Sequence, residues 1–321
     1  IKQRILVRMK ILCIFPFMRK DLFTLIEYAR SLGLNVGLAP SVTPLLNRYA
    51  IEKLKSLGVR SISISLDGSK PETHDGIRGI KGHFNQTIEV LKELVKLGFH
   101  VQVNTAVMRD NVLELPEIAR ILIDVGVRIW EVFFLIKVGR GISAKDLTPP
   151  EYEDVMHFLY DASRYGIIVR TVEAPFFRRV VSWRVKDSCD TNVLEKYRLG
   201  ILYSILRRKL EKLLGKPTSK PMAQTLSTRD GKGIIFVAYN GDVYPSGFTP
   251  YTLGKIKDKS IVKIYRENEI LKAIRAARFH GKCGGCEFRD LCGGSRARAY
   301  ATFSDVLGED PACIYIPNSR S

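Results

Sequence analysis

The chain has 321 residues, 45% apolar and 26% charged, with 51 Lys and Arg against 33 Asp and Glu, for a formal net charge of +18. That balance excludes a disordered chain and allows a sizeable core, and no apolar run approaches the about eighteen residues of a membrane span. The charge suits an anionic small molecule or an acidic peptide, whereas no helix-turn-helix or aromatic-basic motif speaks for nucleic acid.

At the start, apolar Ile11 to Phe15 follows basic residues, but the run is too short for a signal core and Met18-Arg-Lys stands where a cleavage site would be. From Met9 to Ala174 short β-branched runs alternate with amphipathic stretches. The period-2 runs predict strands at Lys10 to Phe15, Asn35 to Leu38, Ser61 to Ser65, His100 to Val107, Ile129 to Leu135 and Ile167 to Val172. Helical spacing predicts helices at Asp21 to Ser31, Leu45 to Leu57, Phe84 to Leu97, Leu115 to Val125 and Glu151 to Tyr165. Leu32-Gly33, Leu57-Gly58 and Leu97-Gly98 place glycine just past a helix, where a left-handed C-cap is needed. Strand and helix in alternation mean an α/β fold on a parallel sheet, and ligands of such sheets gather at the carboxyl ends of the strands. Those ends carry Ser65-Leu-Asp67-Gly68, Asn104-Thr105 and Lys137-Val-Gly139-Arg140-Gly141.

Beyond Pro175 the stripe of Leu194, Tyr197, Ile201, Leu202, Ile205, Leu206, Leu210 and Leu213 predicts one amphipathic helix over Val193 to Leu214, packed on the core. Lys216 to Gly231 reads as a mobile linker. Ile234 to Tyr244 reads as a hairpin, with Asn240-Gly241 in a type I′ turn, and a helical region follows at Ile261 to Ala277. The divisions expected are residues 1–175, an α/β unit; 176–232, a basic helical insertion and linker; and 233–321, a small cysteine-bearing unit.

Four of the six cysteines fall in that last unit as C-x2-C-x5-C-x20-C: Cys283, Cys286, Cys292 and Cys313. Two thiols two residues apart face one side of a tight turn, and Gly284-Gly285 lets the backbone wrap an ion or cluster. Disulfides suit small secreted domains rather than a chain of this size, while structural zinc and a 4Fe-4S cluster are both chemically sound. Free or metal-bound thiols call for a reducing, cytoplasmic setting. Cys13 is read as a small apolar strand residue and Cys189 as an unligated thiol.

The cysteine pattern behind an α/β region resembles the auxiliary-cluster domain of the radical SAM/SPASM enzymes, and the resemblance runs roughly from Pro16 to Pro317. It implies a partial (β/α) TIM-like barrel lacking its first strand, with a small C-terminal iron–sulfur domain. It also implies one auxiliary 4Fe-4S cluster on Cys283, Cys286, Cys292 and Cys313. The family's other auxiliary cluster needs cysteines where this chain has Ser246 and Arg296, so both departures remove ligands of the same cluster. By matching position, Ser65, Asp67, Asn104 and Arg140 would line the S-adenosylmethionine site.

The family's C-x3-C-x2-C loop has no counterpart in these residues, and its Gly-Gly-Glu-Pro turn is altered to Cys13-Ile14-Phe15-Pro16. A chain lacking its first strand, loop and helix is the expectation, with a second 4Fe-4S cluster only where that segment is present. The implied function is 5′-deoxyadenosyl radical modification of a peptide, a peptide-derived cofactor or a tetrapyrrole, fed by a donor such as ferredoxin or flavodoxin, an activity these residues are not expected to show without the C-x3-C-x2-C segment. The rival expectation is a non-catalytic iron–sulfur or zinc protein that recognises a peptide or partner. Arg296 and Arg298 are placed to meet substrate carboxylates.

Overall fold

The computed structural model describes residues 8–11, 16–187, 192–224 and 229–318. Six parallel strands in sequential order form one open, curved sheet: β1 (Arg8–Ile11), β2 (Asn35–Leu38), β3 (Ser61–Ser65), β4 (His100–Val107), β5 (Ile129–Phe134) and β6 (Ile168–Val172). Between them run α1 (Leu22–Ser31), α2 (Arg48–Ser56), α3 (Pro71–Arg78), α4 (His83–Lys96), α5 (Leu115–Val125) and α6 (Pro149–Ala162). Sequential order is what right-handed strand–helix–strand crossovers produce, and the result is a partial barrel. Gly33, Gly58 and Gly98 take the left-handed φ their cap positions demand.

Alternation sorts the strands into two faces. Ile62, Ile64, Val101, Val103, Trp130, Val132, Phe134 and Val169 are buried under the helices, in one core with Ile26, Ile51, Leu54, Leu91, Leu122 and Phe158. Residues of the other parity are polar: Ser65 pairs in register with Asn104, Asn104 with Glu131, and Glu131 with Arg170. Four strands therefore hold a level polar row on that face, at the carboxyl end of β3 and midway along β4, β5 and β6.

After β6 come α7 (Phe177–Lys186), α8 (Val193–Tyr197) and α9 (Ile201–Leu214). The helix expected from Val193 to Leu214 is two, because Arg198 adopts a left-handed φ of 52° and breaks it. α9 does pack on the core, through Leu202, Tyr203, Leu206 and Leu210. The stretch read as a mobile linker is tied to the sheet over its first half. Thr218 and Ser219 N–H donate to Arg164 O, Met222 N–H to Ser163 O, and Gln224 N–H to Val169 O at 2.9 Å, so backbone amides cover the open edge of β6.

The C-terminal unit has short strands β7 (Arg229–Asp230), β8 (Gly233–Ile234), β9 (Phe236–Val237), β10 (Asp242–Tyr244) and β11 (Gly254–Lys255). Helices α10 (Ile261–Glu267), α11 (Glu269–Arg275), α12 (Gly281–Gly284) and α13 (Arg296–Phe303) follow, so the expected helix from Ile261 to Ala277 is also two, parted at Asn268, which caps α11. The β9–β10 hairpin turns at Ala238 to Gly241, where Gly241 N–H bonds Ala238 O and only Gly241 has positive φ. A type I′ turn needs positive φ at Asn240 too, so this is a longer turn closed by a left-handed glycine. A second core of Val243, Ile264, Leu271, Ile274, Phe279 and Val306 holds this unit.

Candidate functional site

The carboxyl end of β3 is fixed by the side chain of Asp67. Only 2% exposed, it pairs with Arg78 on α3 and accepts the Ala106 N–H at 2.8 Å, while Asn111 Nδ2 donates to its backbone oxygen. Burial works to raise its carboxyl and outweighs the Arg78 charge that works to lower it. Asp67 therefore holds the loop in shape; its carboxylate is already engaged. The Asp67 N–H donates to His74 Nδ1, so His74 carries its hydrogen on Nε2 and donates it to His83 Nδ1 at 2.8 Å. His83 in turn donates from Nε2 to Val42 O. Burial, with the neighbouring His83, pushes His74 down to about 4, so both rings are neutral near pH 7. Gly68 backs onto α3 so closely that a Cβ would stand 2.6 Å from His74 N.

Ser65 and Asn104 stand level on adjacent strands of the polar face, both half-buried. Gln102 Nε2 donates to Asn104 Oδ1 at 2.7 Å and to Glu131 Oε2 at 2.6 Å, which locks the amides in orientation. Arg140 lies in the 3-10 turn Gly139–Ile142 beyond β5, its side chain outside the described atoms. Gly141 lies so near Ile136 O that a Cβ would sit 2.6 Å from it. Of the four expected cofactor residues, Ser65 and Asn104 thus share one surface, and Asp67 lies behind it as a support.

The four thiols come together. Cys283 on α12, Cys286, Cys292 and Cys313 line one cavity with Phe176, Arg179, Phe288 and Tyr315. Backbone N–H groups of Asp310, Phe288 and Gly294 point at the sulfurs of Cys283, Cys286 and Cys292, each at 3.4 Å. Such donors stabilise thiolates bound to a metal. Burial pushes the Cys292 thiol up to about 12 and Cys313 to about 11, so a metal entering here displaces protons. Among the described residues no three His, Cys, Asp or Glu side chains close on one point as a single ion requires. Four thiols around a shared cavity are a donor set of the kind that structural zinc and iron–sulfur clusters both use. Gly294 keeps the wall thin: a Cβ there would be 3.1 Å from Cys283 Sγ. Cys13 and Cys189 lie outside the described residues.

Between these two surfaces lies a cavity of about 370 Å³ walled by β5, β6, α7, β7 and the start of α13. It is lined by Arg170, Arg178, Arg229 and Arg296, by Glu131, Glu173 and Asp230, and by Gly294 and Ser295. Arg178 donates to Leu291 O, Arg229 to Ile274, Arg289 and Asp290 carbonyls, and Arg296 to Val306 and Gly308 carbonyls. Arg296, expected to meet substrate carboxylates, is fully buried with its guanidinium 4.4 Å from the Phe279 ring centre. Arg298 pairs with Asp310 instead and lies over Tyr152, so it is a support of the fold. Glu173 and Asp230 escaped the sequence reading; their signal was only that Glu173 follows a strand at its carboxyl end.

Three comparisons place these features among known proteins. Residues 14–122 match the Radical SAM superfamily. The chain is 33% identical over 307 residues to the AdoMet-dependent heme synthase of Methanosarcina barkeri, covering 95% of this chain and 81% of that protein. It is 26% identical over 309 residues to the Fe-coproporphyrin III synthase of the same organism, covering 93% and 73%. Streptococcus suis SuiB shares the fold, with a TM-score of 0.62 at 13% identity over 94% of this chain; the chain spans 65% of that structure's length.

Proposed function

The chain belongs to the radical SAM/SPASM family of iron–sulfur enzymes, and from that premise we propose that it serves heme formation, acting on an iron porphyrin that carries propionate side chains. The observation that carries this reading is the arginine-walled cavity of about 370 Å³ set between the polar row of the sheet and the four thiols. Arg229 and Arg296 are hydrogen-bonded to carbonyls, which leave their charge uncancelled, and this suits a ligand with carboxylate arms rather than a neutral one. The names of the two relatives, both iron-porphyrin synthases, point the same way.

In this reading residues 1–175 present S-adenosylmethionine through Ser65 and Asn104, with Asp67 holding their loop and Arg140 beyond β5. Residues 233–321 hold an auxiliary 4Fe-4S cluster through Cys283, Cys286, Cys292 and Cys313, with the insertion 176–232 between. When bound, such a cluster supplies one-electron transfer. The residues do not fit the family's cofactor-cleaving cluster, since C-x3-C-x2-C is absent from them and only two cysteines remain beyond the four. What the chain's own groups do is bind and orient: Gln102 fixes the amide of Asn104, buried thiols exclude water from the electron-transfer side, and the arginines anchor carboxylates. The reading also calls for a reducing compartment and an acidic electron carrier such as ferredoxin or flavodoxin.

Titration with iron coproporphyrin III, followed by its Soret band, tests the proposal. A saturable shift at one porphyrin per chain is expected. No shift, with tight binding of a basic or neutral peptide instead, would overturn it.

A further inference from the structure

At the wall of the arginine cavity two carboxyl groups face each other from different parts of the chain. Glu173 follows β6 and is 8% exposed; Asp230 ends β7, and both carboxyls line the cavity. Two carboxylates lodged in one buried wall repel, which favours a proton on one of them. Their surroundings keep that proton. Around Glu173 stand Ser295, which donates its Oγ–H at 2.5 Å, Arg298 and Asp310. Around Asp230 stand Ser246, Thr249 and Arg296. Arg170, Arg178, Arg229 and Glu131 complete the lining. Burial first, and then the neighbouring carboxyl, lifts Glu173 well above the usual carboxylate range, and burial lifts Asp230 too.

Two further features mark the place as built for a ligand. Glu173 has a left-handed φ of 59°, a strained backbone conformation for a non-glycine residue that sets the direction of its side chain. Arg296 is fully buried on the same wall and holds its charge against the Val306 and Gly308 carbonyls, which cancel none of it. With one proton on the carboxyl pair, four guanidiniums face two negative charges, so the cavity keeps an excess of positive charge.

We propose that Glu173 and Asp230 share one proton and donate it as a hydrogen bond to a carboxylate of the bound substrate, which the guanidiniums lining the cavity attract by charge. The pair is thereby a recognition device: it greets an anion as an acid and repels it once fully ionised. The inference rests on the iron-porphyrin reading for the identity of the carboxylate, though not for the shared proton.

The test uses the chain with its auxiliary cluster reconstituted, and hemin and hemin dimethyl ester as probes. Hemin affinity is expected to fall about tenfold or more between about pH 6 and about pH 9, as the shared proton is lost and a charged hydrogen bond goes with it. The ester, lacking the carboxylates, should bind weakly and without that slope. Glu173→Gln and Asp230→Asn keep a donor but not the titration, so each should flatten the profile. A flat wild-type profile, variants that keep the slope, or an ester that binds like hemin would each overturn the proposal. Infrared difference spectra decide the proton independently. The carbonyl stretch of a protonated carboxyl should be present in the wild type at neutral pH and lost in both variants. If hemin fails to bind at any pH but that band behaves as described, the porphyrin reading falls and the shared proton stands; if the band is absent, the proton falls.

Discussion

On α7 the guanidiniums of Arg179 and Arg184 are buried against carboxylates, whereas in the C-terminal unit those of Arg229 and Arg296 are buried against carbonyl oxygens. Arg179 grips Glu153 with two bonds at 2.9 and 2.7 Å, and Arg184 holds Asp161 at 2.6 Å, which also receives Tyr203 OH. Each charge there is cancelled locally, and the groups cement α6, α7 and α9. Carbonyl oxygens satisfy donors but cancel no charge. The same residue type therefore neutralises in one region and leaves a standing positive potential in the other, next to the thiols and the cavity.

The largest break in this contrast comes from removing the thiols. Cys286→Ala is expected to abolish the visible absorption of protein reconstituted anaerobically with iron and sulfide, and to open the region after α12 to protease, because metal-held units fold on their metal. Absorbance, iron content and limited proteolysis read the outcome; a variant that keeps its full iron content would refute it.

Next in size, Arg179→Ala strands the Glu153 carboxylate and is expected to destabilise the chain by about 3–5 kcal/mol in urea unfolding. Burial works to raise Glu153, but the His157 bond and the Arg179 charge outweigh it and hold the carboxyl at about 2. A depressed acid stabilises above its unfolded pKa, so the wild type should lose this contribution as pH falls from about 4.5 toward 2, and the variant should not. Arg296→Met sharpens the comparison: no carboxylate is stranded, only carbonyls, so a smaller loss of about 1–3 kcal/mol is expected. Equal losses for the two arginine variants would erase the distinction drawn above.

The smallest effect concerns bases buried uncharged. His74, at about 4 in the fold against 6.5 free, binds fewer protons folded than unfolded between those values. Stability should therefore be level above about pH 6.5 and decline as pH falls toward 4, with His74→Gln showing a shallower decline in urea midpoint. An unchanged slope in that variant would place the titrating group elsewhere.

The alternating half of the chain was legible because the strands bury one parity of residues and α1, α2 and α4 are each followed by a glycine that a left-handed cap explains. β2, β3 and β4 begin and end where periodicity puts them; the first strand, expected at Lys10 to Phe15, instead spans Arg8–Ile11, and Leu12 to Phe15 lie outside the described residues. α3 was missed because its inward residue is His74, which a hydropathy period counts as polar. α7 was missed for the same reason, with Arg179 and Arg184 buried. The thiol spacing announced the four cysteines. The carboxyl pair did not announce itself, since Glu173 and Asp230 are brought together only by the docking of β7 and α13 against the end of β6. Arg296 and Arg298 looked free to meet a substrate because the carbonyls and carboxylate that take them inward, at Val306, Gly308 and Asp310, are distant-loop groups with no pattern of their own.

Ser295 joins Glu173 to the C-terminal unit. Its hydroxyl accepts the Arg298 N–H at 3.0 Å to start α13, and it has a single hydrogen, which goes to Glu173 Oε2. That bond ties the residue after β6 to the first turn of α13. One hydroxyl thus works as a rivet between the sheet and the C-terminal unit, and any shift of α13 is felt at the carboxyl.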